Sequence, residues 1–122
     1  MVKKKILIVD DEPNILMSLD FLMRRNGYDV FVARDGNEAL SIFQDEKPDL
    51  IILDIMMPNI GGYEVCRAVK SSDKKTNTQV LILTAKDKEE DIKRGYEAGA
   101  DHYMTKPFST KNLVAKVKEL IN

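Results

Sequence analysis

Five short runs of mainly apolar residues divide the chain. They occupy residues 6–9, 30–33, 50–53, 80–83 and 103–105. Continuous apolar runs of this length, bounded by polar residues, are typical of strands that are buried on both faces of a parallel sheet. The pattern therefore predicts five parallel strands.

Between these runs, apolar residues recur at the spacing of one helix face. In the first stretch they are Ile15, Leu16, Leu19, Leu22 and Met23, with Pro13 suited to the opening turn and Asn26-Gly27 to the end. Similar stretches centre on residues 39–43, 65–69, 92–96 and 113–121. The alternation predicts one three-layer α/β domain over residues 1–122, with right-handed crossovers. The polar residues 71–78 are expected to form a surface loop.

Composition narrows the function classes. The chain has 19 Lys and Arg against 20 Asp and Glu, so no global charge favours binding to nucleic acid or to a membrane. The first apolar run is far too short for a signal or membrane segment. A single cysteine, Cys66, excludes an internal disulfide and fits a reducing, cytoplasmic setting. We expect Cys66 to be a buried or half-buried helix residue, and the single His102 to be a surface residue and not a metal ligand.

Charged or hydroxyl side chains end four of the predicted strands. Asp10 and Asp11 follow the first strand, Asp54 the third, Thr84 the fourth and Lys106 the fifth. Because ligands bind at the carboxyl ends of the strands in open parallel sheets, these side chains are expected to share one crevice. Carboxylates gathered there need a cation, and a hard divalent ion held by oxygens, above all Mg²⁺, suits them. With a hydroxyl and an ammonium group beside the metal, the crevice suits a phosphoryl group.

Each of these residues has a simpler explanation when it is taken alone. Asp10 and Asp11 are equally suited to cap the helix that begins near Pro13, where acidic residues are favoured. A lone lysine such as Lys106 is exposed by default. It is the full set of residues, in this order, that favours a shared site.

The polar strand ends match the pattern of one family in order along the chain. The matching residues are Asp10-Asp11, Asp54 with Met57-Pro58 and Gly62, Thr84-Ala85, and Lys106-Pro107-Phe108. Over its whole length the chain resembles the CheY-like receiver domains of response regulators in two-component signalling. The resemblance implies a doubly wound, flavodoxin-like sheet of strand order 2-1-3-4-5, in which strands one and three are neighbours.

The resemblance also implies roles in phosphoryl transfer. Asp54 is the expected nucleophile, which takes a phosphoryl group from a phosphohistidine and becomes an aspartyl phosphate. Asp11, Asp54 and the backbone carbonyl of Met56 are expected to bind Mg²⁺ (or Mn²⁺) directly, and Asp10 mainly through water. Lys106 is expected to pair with a phosphoryl oxygen. Such a domain assists its own phosphorylation and dephosphorylation and is not a conventional turnover enzyme.

Switching, docking and phosphate lifetime are expected to depend on further residues. Thr84, Ala85 and Tyr103 form the expected switch: the Tyr103 ring turns inward as Thr84 moves, and the face of helix four, strand five and helix five changes. Docking of a histidine kinase or phosphotransfer protein is expected at Asn14, Ile15, Met17, Ser18, Pro107 and Phe108. Met56 and Lys86 flank the path of the hydrolytic water and cannot orient it, so slow self-dephosphorylation is expected.

Some positions depart from the family pattern. Gly61 stands where many members have Asp. Ile92, His102 and Asn112 stand where DNA-binding members with a winged-helix output form ion pairs, so several of those pairs cannot form. We expect Ile92 to be at least partly buried, and the bond between Lys106 and Pro107 to be cis. The output partner, and whether the domain stands alone or belongs to a longer regulator, are left open.

Other function classes fit the chain less well. A phosphatase of the haloacid-dehalogenase type needs a second acid two residues after its nucleophile, where this chain has Met56. A flavin-binding electron carrier needs a phosphate-binding loop rich in Ser, Thr and Gly, in place of Asp10-Asp11-Glu12. A pseudo-receiver, which would act as a protein-interaction adaptor without phosphorylation, is the remaining alternative, although both Thr84 and Lys106 are present.

Overall fold

The computed structural model describes residues 2–57, 60–72 and 77–122. In those ranges five strands and five helices alternate: β1 (Lys5–Val9), α1 (Pro13–Arg25), β2 (Asp29–Ala33), α2 (Gly36–Glu46), β3 (Leu50–Leu53), α3 (Gly62–Lys70), β4 (Gln79–Thr84), α4 (Glu89–Glu97), β5 (His102–Thr105) and α5 (Thr110–Ile121). The predicted alternation is confirmed, although β1, β2, β4 and β5 each begin one residue earlier than predicted and β4 also ends one residue later. None of the helices in those ranges has the length and apolarity that a membrane span needs.

The strands form one parallel sheet in the order β2-β1-β3-β4-β5, as predicted. The central strand β1 pairs with β2 on one side and with β3 on the other, so the strand order reverses between β1 and β3. In this pairing Val9 lies opposite Leu53. The residues that follow them, Asp10 and Asp54, therefore leave the sheet side by side.

Alternate strand residues pack into two separate hydrophobic cores. Leu7 and Ile51 belong to the core under α2, α3 and α4, which also contains the single cysteine, Cys66. Ile6 and Ile52 belong to the core on the other face, under α1 and α5. Because helices cover both faces, consecutive strand residues are buried on alternate sides of the sheet, which explains their continuous apolar runs.

Two glycines end helices where the backbone requires positive φ. Gly27 follows α1 with a φ of 91°, and Gly99 follows α4 with a φ of 104°. Side chains strongly disfavour this left-handed region, so glycine is the residue that ends a helix there at least cost. The sequence prediction that α1 stops at Asn26-Gly27 is confirmed.

The predicted surface loop over residues 71–78 is wrong at its last residue. Thr78 is buried, and its Oγ1 donates a hydrogen bond of 2.6 Å to the backbone carbonyl of Pro48. This bond satisfies a carbonyl that burial would otherwise leave without a partner. Ser71 and Asn77 are exposed, as predicted, and residues 73–76 lie outside the described ranges.

Candidate functional site

One lysine and two aspartates form the centre of the site at the carboxyl ends of the strands. The Lys106 Nζ atom lies 2.9 Å from Asp10 Oδ2 and 3.1 Å from Asp54 Oδ2. The side chains of Asp10 and Asp54 are only 4% and 9% exposed, and that of Lys106 is 18% exposed. β1, β3 and β5 thus bring together three residues that are far apart in sequence, as expected from the strand order.

Each aspartate is also held by its own loop. Asp10 Oδ1 accepts a hydrogen bond of 2.9 Å from the Glu12 amide, and Asp54 Oδ1 accepts one of 2.9 Å from the Met56 amide. Such bonds to the amide two residues onward fix the side chain of an aspartate in a turn. The other oxygen of each carboxylate remains directed at Lys106. The N-cap of α1 is Glu12, and no side chain caps that helix, so the capping explanation for Asp10 fails.

The site carries more negative than positive charge in a poorly solvated place. Burial raises the pKa of Asp10 above its usual value, although the bonds from Glu12 and Lys106 act in the opposite direction. Burial also acts to lower the pKa of Lys106, but its hydrogen bond to Asp10 and the charge of Asp54 outweigh this and raise it. The ammonium is therefore held firmly in its charged form, while the two carboxylates still favour a further cation.

The donor atoms suit a hard divalent cation. Within residues 2–57, 60–72 and 77–122, no three acidic, histidine or cysteine side chains are grouped as a complete metal site. Asp10 and Asp54 nevertheless converge as oxygen donors, the ligand type that Mg²⁺ prefers, and Mg²⁺ usually keeps several waters. Asp11, which follows Asp10 in the chain, is exposed. Direct binding by Asp11, Asp54 and the Met56 carbonyl stays a prediction.

Thr84 and Lys106 lie at the ends of the neighbouring strands β4 and β5. The Thr84 side chain is fully buried, and its backbone carbonyl accepts a hydrogen bond of 2.7 Å from the Lys106 amide. Because Leu53 pairs with Ile82, Thr84 extends one residue past the position opposite Asp54. The peptide bond after Lys106 is cis, as expected.

Tyr103, the predicted switch residue, has an inward-facing ring. Its side chain is buried, and its hydroxyl donates a hydrogen bond of 2.8 Å to the backbone carbonyl of Lys86. Lys86 in turn places its amide 3.5 Å from Thr84 Oγ1, which is a long contact. The chain that follows Thr84 is thus tied to β5 through the Tyr103 hydroxyl.

The predicted docking residues lie at the surface near the beginning of α1 and the loop after β5. Asn14, Met17, Ser18 and Pro107 are exposed, whereas Ile15 and Phe108 are half-buried against the core under α1 and α5.

The sequence interpretation missed Phe21, which is 64% exposed and lies one turn after Met17. Arg25 covers its ring, with the guanidinium carbon 5.6 Å from the ring centroid. The signal was available, because Met17 and Phe21 are four residues apart and both fall outside the apolar face of the helix.

The remaining predicted residues differ in their exposure. Met56 is 51% exposed, and Lys86 is exposed as well. Cys66 is buried in α3, as expected, and burial raises the pKa of its thiol to about 11. Ile92 is half-buried, as expected, but His102 is also half-buried within β5 and is less exposed than its surface assignment implied.

A doubly wound sheet with a lysine and two aspartates at its switch point defines the class of CheY-like receiver domains. A family model described as "Response regulator receiver domain" matches residues 6–118. The chain therefore belongs to the response regulator receiver domain family of two-component signalling.

Solved structures agree with this assignment. Chemotaxis protein CheY4 of Vibrio cholerae is 33% identical, with 98% of this chain and 99% of that chain covered and a TM-score of 0.88. The receiver domain of Francisella response regulator 1452 is 34% identical, with 98% and 97% covered and a TM-score of 0.89. A BeF3-activated DrrB receiver domain is 36% identical, with 98% and 97% covered and a TM-score of 0.88.

Proposed function

We propose that Asp54 accepts a phosphoryl group from the phosphohistidine of a histidine kinase or phosphotransfer protein. An oxygen of the Asp54 carboxylate forms a bond to phosphorus while the phosphorus–nitrogen bond of the donor breaks. The electron pair of that bond returns to the imidazole nitrogen, which takes a proton from solvent. The observation that carries the proposal is the position of Asp54, which is nearly buried, fixed through one oxygen and paired through the other with Lys106.

The neighbouring side chains are suited to assist this transfer. Lys106 pairs with a carboxylate oxygen of Asp54, so a short movement takes its ammonium to an oxygen of the incoming phosphoryl group. Asp10, Asp11, Asp54 and the Met56 carbonyl would hold Mg²⁺, which when bound offsets negative charge on the phosphoryl oxygens. Asp10 would act mainly through water. The domain would thereby promote its own modification without acting as a turnover enzyme.

Phosphorylation by a small donor tests the proposal directly. Acetyl phosphate and Mg²⁺ should add one phosphoryl group to the intact protein, as measured by its mass, and Asp54→Ala should abolish the gain. Asp45→Ala, which removes an exposed carboxylate of α2, is the matched control and should be labelled like the parent. A parent protein that gains no mass, or an Asp54→Ala variant that still gains it, would contradict the assignment.

The proposed output is a change in the face formed by α4, β5 and α5. Thr84 would donate its hydroxyl to a phosphoryl oxygen, and the movement would carry Ala85 and the chain held by Tyr103 with it. The DrrB receiver domain, which is similar in fold, has been solved in a BeF3-activated form, and this supports the proposal of an activated state. A shift from about 1:99 to 99:1 would need roughly 5.5 kcal/mol of differential binding. Nothing in the site favours the adaptor alternative, since the acids, Thr84 and Lys106 are all retained.

The proposed kinase surface is the first half of α1 together with the loop after β5. It is supported by the exposure of Asn14, Met17, Ser18 and Pro107, with Ile15 and Phe108 packed beneath. Met17→Asp and Ser18→Arg should slow transfer from the cognate kinase at least tenfold while labelling by acetyl phosphate stays normal. Lys118→Asp, on the exposed side of α5, is the control. Equal transfer rates in all variants would remove α1 from the docking surface.

The lifetime of the phosphorylated state is proposed to depend on Met56 and Lys86. Both are exposed, and neither can accept a proton from the water that attacks opposite the Asp54 carboxylate. We expect slow loss of the phosphoryl group from the parent and faster loss in Met56→Asn and Lys86→Glu. The decay of the labelled mass in Mg²⁺ measures this rate, with Lys88→Glu as a nearby exposed control. Unchanged decay in both variants would reject the blocked-water explanation.

A further inference from the structure

Tyr63 connects α3 to the first turn of α4. Its hydroxyl donates a hydrogen bond of 2.9 Å to the backbone carbonyl of Asp91. The guanidinium carbon of Arg94 lies 4.4 Å from the centroid of the Tyr63 ring, a distance typical of a cation–π contact. One aromatic side chain of α3 therefore holds α4 both through its ring and through its hydroxyl.

Tyr103 holds the same stretch of chain at its other end. Its hydroxyl binds the carbonyl of Lys86, just after β4, whereas Tyr63 binds the carbonyl of Asp91, two residues into α4. Residues 87–90, which lie between these points, are exposed, so they have little packing of their own. The two phenols are also close. Burial is the largest cause of the raised pKa of both hydroxyl groups, and the nearby Tyr63 raises the pKa of Tyr103 further.

Space for the Tyr103 ring comes from a glycine in α4. A Cβ atom built on Gly95 would lie 2.8 Å from Tyr103 Cδ2, 2.9 Å from Tyr103 Cε2 and 3.0 Å from Ile82 Cδ1. Real Cβ atoms do not approach a ring carbon so closely, so a side chain at this position would displace the ring or the helix. The inward ring, its bond to Lys86 and the position of α4 are therefore linked.

We propose that Tyr63 is a positioning residue of the switch, which together with Tyr103 holds residues 86–91 at two points. Tyr103 anchors this segment to β5, and Tyr63 anchors it to α3. Movement that begins at Thr84 then reaches α4 through a segment that is held at both ends. Because Tyr63 belongs to α3, this helix becomes part of the switch. The regulatory consequence rests on the proposed function of Thr84 and Tyr103, but the two-point attachment itself does not.

Amide hydrogen exchange of the full chain tests the attachment without any phosphodonor. In Tyr63→Phe, peptides that cover residues 85–92 should exchange about fivefold faster, the effect of one lost hydrogen bond of ordinary net strength. Tyr103→Phe should have a similar effect on the same peptides. Tyr28→Phe is the matched control, because it removes a hydroxyl that bonds to Asn122 Oδ1 at 3.2 Å, far from this segment in the fold. Its exchange over residues 85–92 should equal that of the parent.

Two results would overturn the proposal. One is a Tyr63→Phe variant that exchanges like the parent over residues 85–92. The other is faster exchange throughout β1 and β3 as well, which would mean that Tyr63 serves global stability and has no local positioning role. A double variant, Tyr63→Phe with Tyr103→Phe, should fall short of the product of the two single effects, since loss of either anchor already frees part of the segment. A full product would mean independent contacts.

The regulatory consequence has its own measurement. Adding Mg²⁺ and BeF3⁻, which mimics an aspartyl phosphate, should change exchange over residues 85–92 in the parent, and Tyr63→Phe should reduce that change at least twofold in the α4 peptides. An equal change in both proteins would show that α3 takes no part in switching. If the parent shows no response and takes no phosphoryl group from acetyl phosphate, the proposed function fails, whereas the exchange of the variants without BeF3⁻ still judges the attachment.

Discussion

At the carboxyl ends of the strands one lysine faces two buried aspartates. At the amino ends of the strands another lysine, Lys70, pairs with one aspartate, Asp101. In that second cluster Lys70 Nζ lies 2.8 Å from Asp101 Oδ2. The same Asp101 oxygen accepts a hydrogen bond of 2.8 Å from the Val80 amide, and Lys70 also donates to the Thr78 carbonyl at 3.1 Å. The charges are balanced, and the polar atoms serve to hold the chain at the beginning of β4.

The two clusters contain the same residue types but differ in exposure and in charge balance. The side chains of Lys70 and Asp101 are 28% and 27% exposed, so solvent screens a pair that is already neutral. Around Lys106 the carboxylates are much less exposed and outnumber the ammonium. An excess of like charge in a poorly solvated place costs stability unless another cation joins it. Incomplete neutralisation is thus what distinguishes the candidate site from the structural ion pair of Lys70 and Asp101.

Removing the lysine from each cluster should have the largest effect on this comparison. Lys106→Met leaves two nearly buried carboxylates without their partner and should lower the free energy of unfolding by about 2 kcal/mol at pH 7. Lys70→Met breaks a partly exposed pair and should cost about 0.5 kcal/mol. Urea unfolding at pH 7 without divalent ions measures both. Equal losses would mean that the two clusters do not differ in the way described. The loss in Lys106→Met should shrink as the pH falls and Asp10, whose pKa burial raises, becomes protonated.

Magnesium should stabilise the folded protein through the carboxylates at the carboxyl ends of the strands and not through those at the amino ends. At ten times its dissociation constant, a ligand that binds only the folded state adds about 1.4 kcal/mol to the free energy of unfolding. We expect the parent to gain this much from Mg²⁺ and Asp11→Ala to lose most of the gain. Asp29→Ala removes an exposed carboxylate at the amino end of β2, and this variant should keep the full stabilisation by Mg²⁺. An Asp11→Ala variant that responds to Mg²⁺ like the parent would show that the metal assignment is wrong.

Neutralising one aspartate in each cluster should give small effects of opposite sign. Burial raises the pKa of Asp10, so its protonated form is favoured in the folded state. The stability that protonation of Asp10 contributes is fully present below the pKa that Asp10 has in the unfolded chain. It is lost as the pH rises through the raised pKa of Asp10 in the folded protein. At pH 7 the parent therefore carries the whole penalty, and Asp10→Asn should stabilise it by about 1 kcal/mol.

Asp101→Asn should instead destabilise the protein by about 1 kcal/mol, since it weakens the pair with Lys70. Urea unfolding between pH 4 and pH 7 measures both variants. The curves of the parent and of Asp10→Asn should converge as the pH falls through the raised pKa of Asp10. Destabilisation by Asp10→Asn at pH 7 would mean that its pair with Lys106 outweighs the cost of burial.

The elements of the fold were predictable because their burial is repeated along each segment. Helices cover both faces of the sheet, so the buried positions of β1 and β3, residues 6–9 and 50–53, had to be apolar, and these runs stood out. Thr78 escaped prediction because its burial depends on one hydrogen bond to Pro48, 30 residues away. The exposure of Phe21 was not predicted, because the pattern that identifies α1 is that of its buried face. An exposed aromatic residue leaves that pattern unchanged.

The sequence by itself determined that Asp10, Asp54, Thr84 and Lys106 end strands, since a polar residue after an apolar run needs only local information. Which of them touch was decided by the tertiary structure. Lys106 is 96 residues from Asp10 and 52 from Asp54, and only the order of β1, β3, β4 and β5 brings its ammonium between the two carboxylates. The attachment of α4 by Tyr63 was likewise invisible in the sequence, because it joins a side chain of one helix to a backbone carbonyl of another. Backbone carbonyls are the same in every residue, so no sequence pattern marks the one that a distant hydroxyl will find.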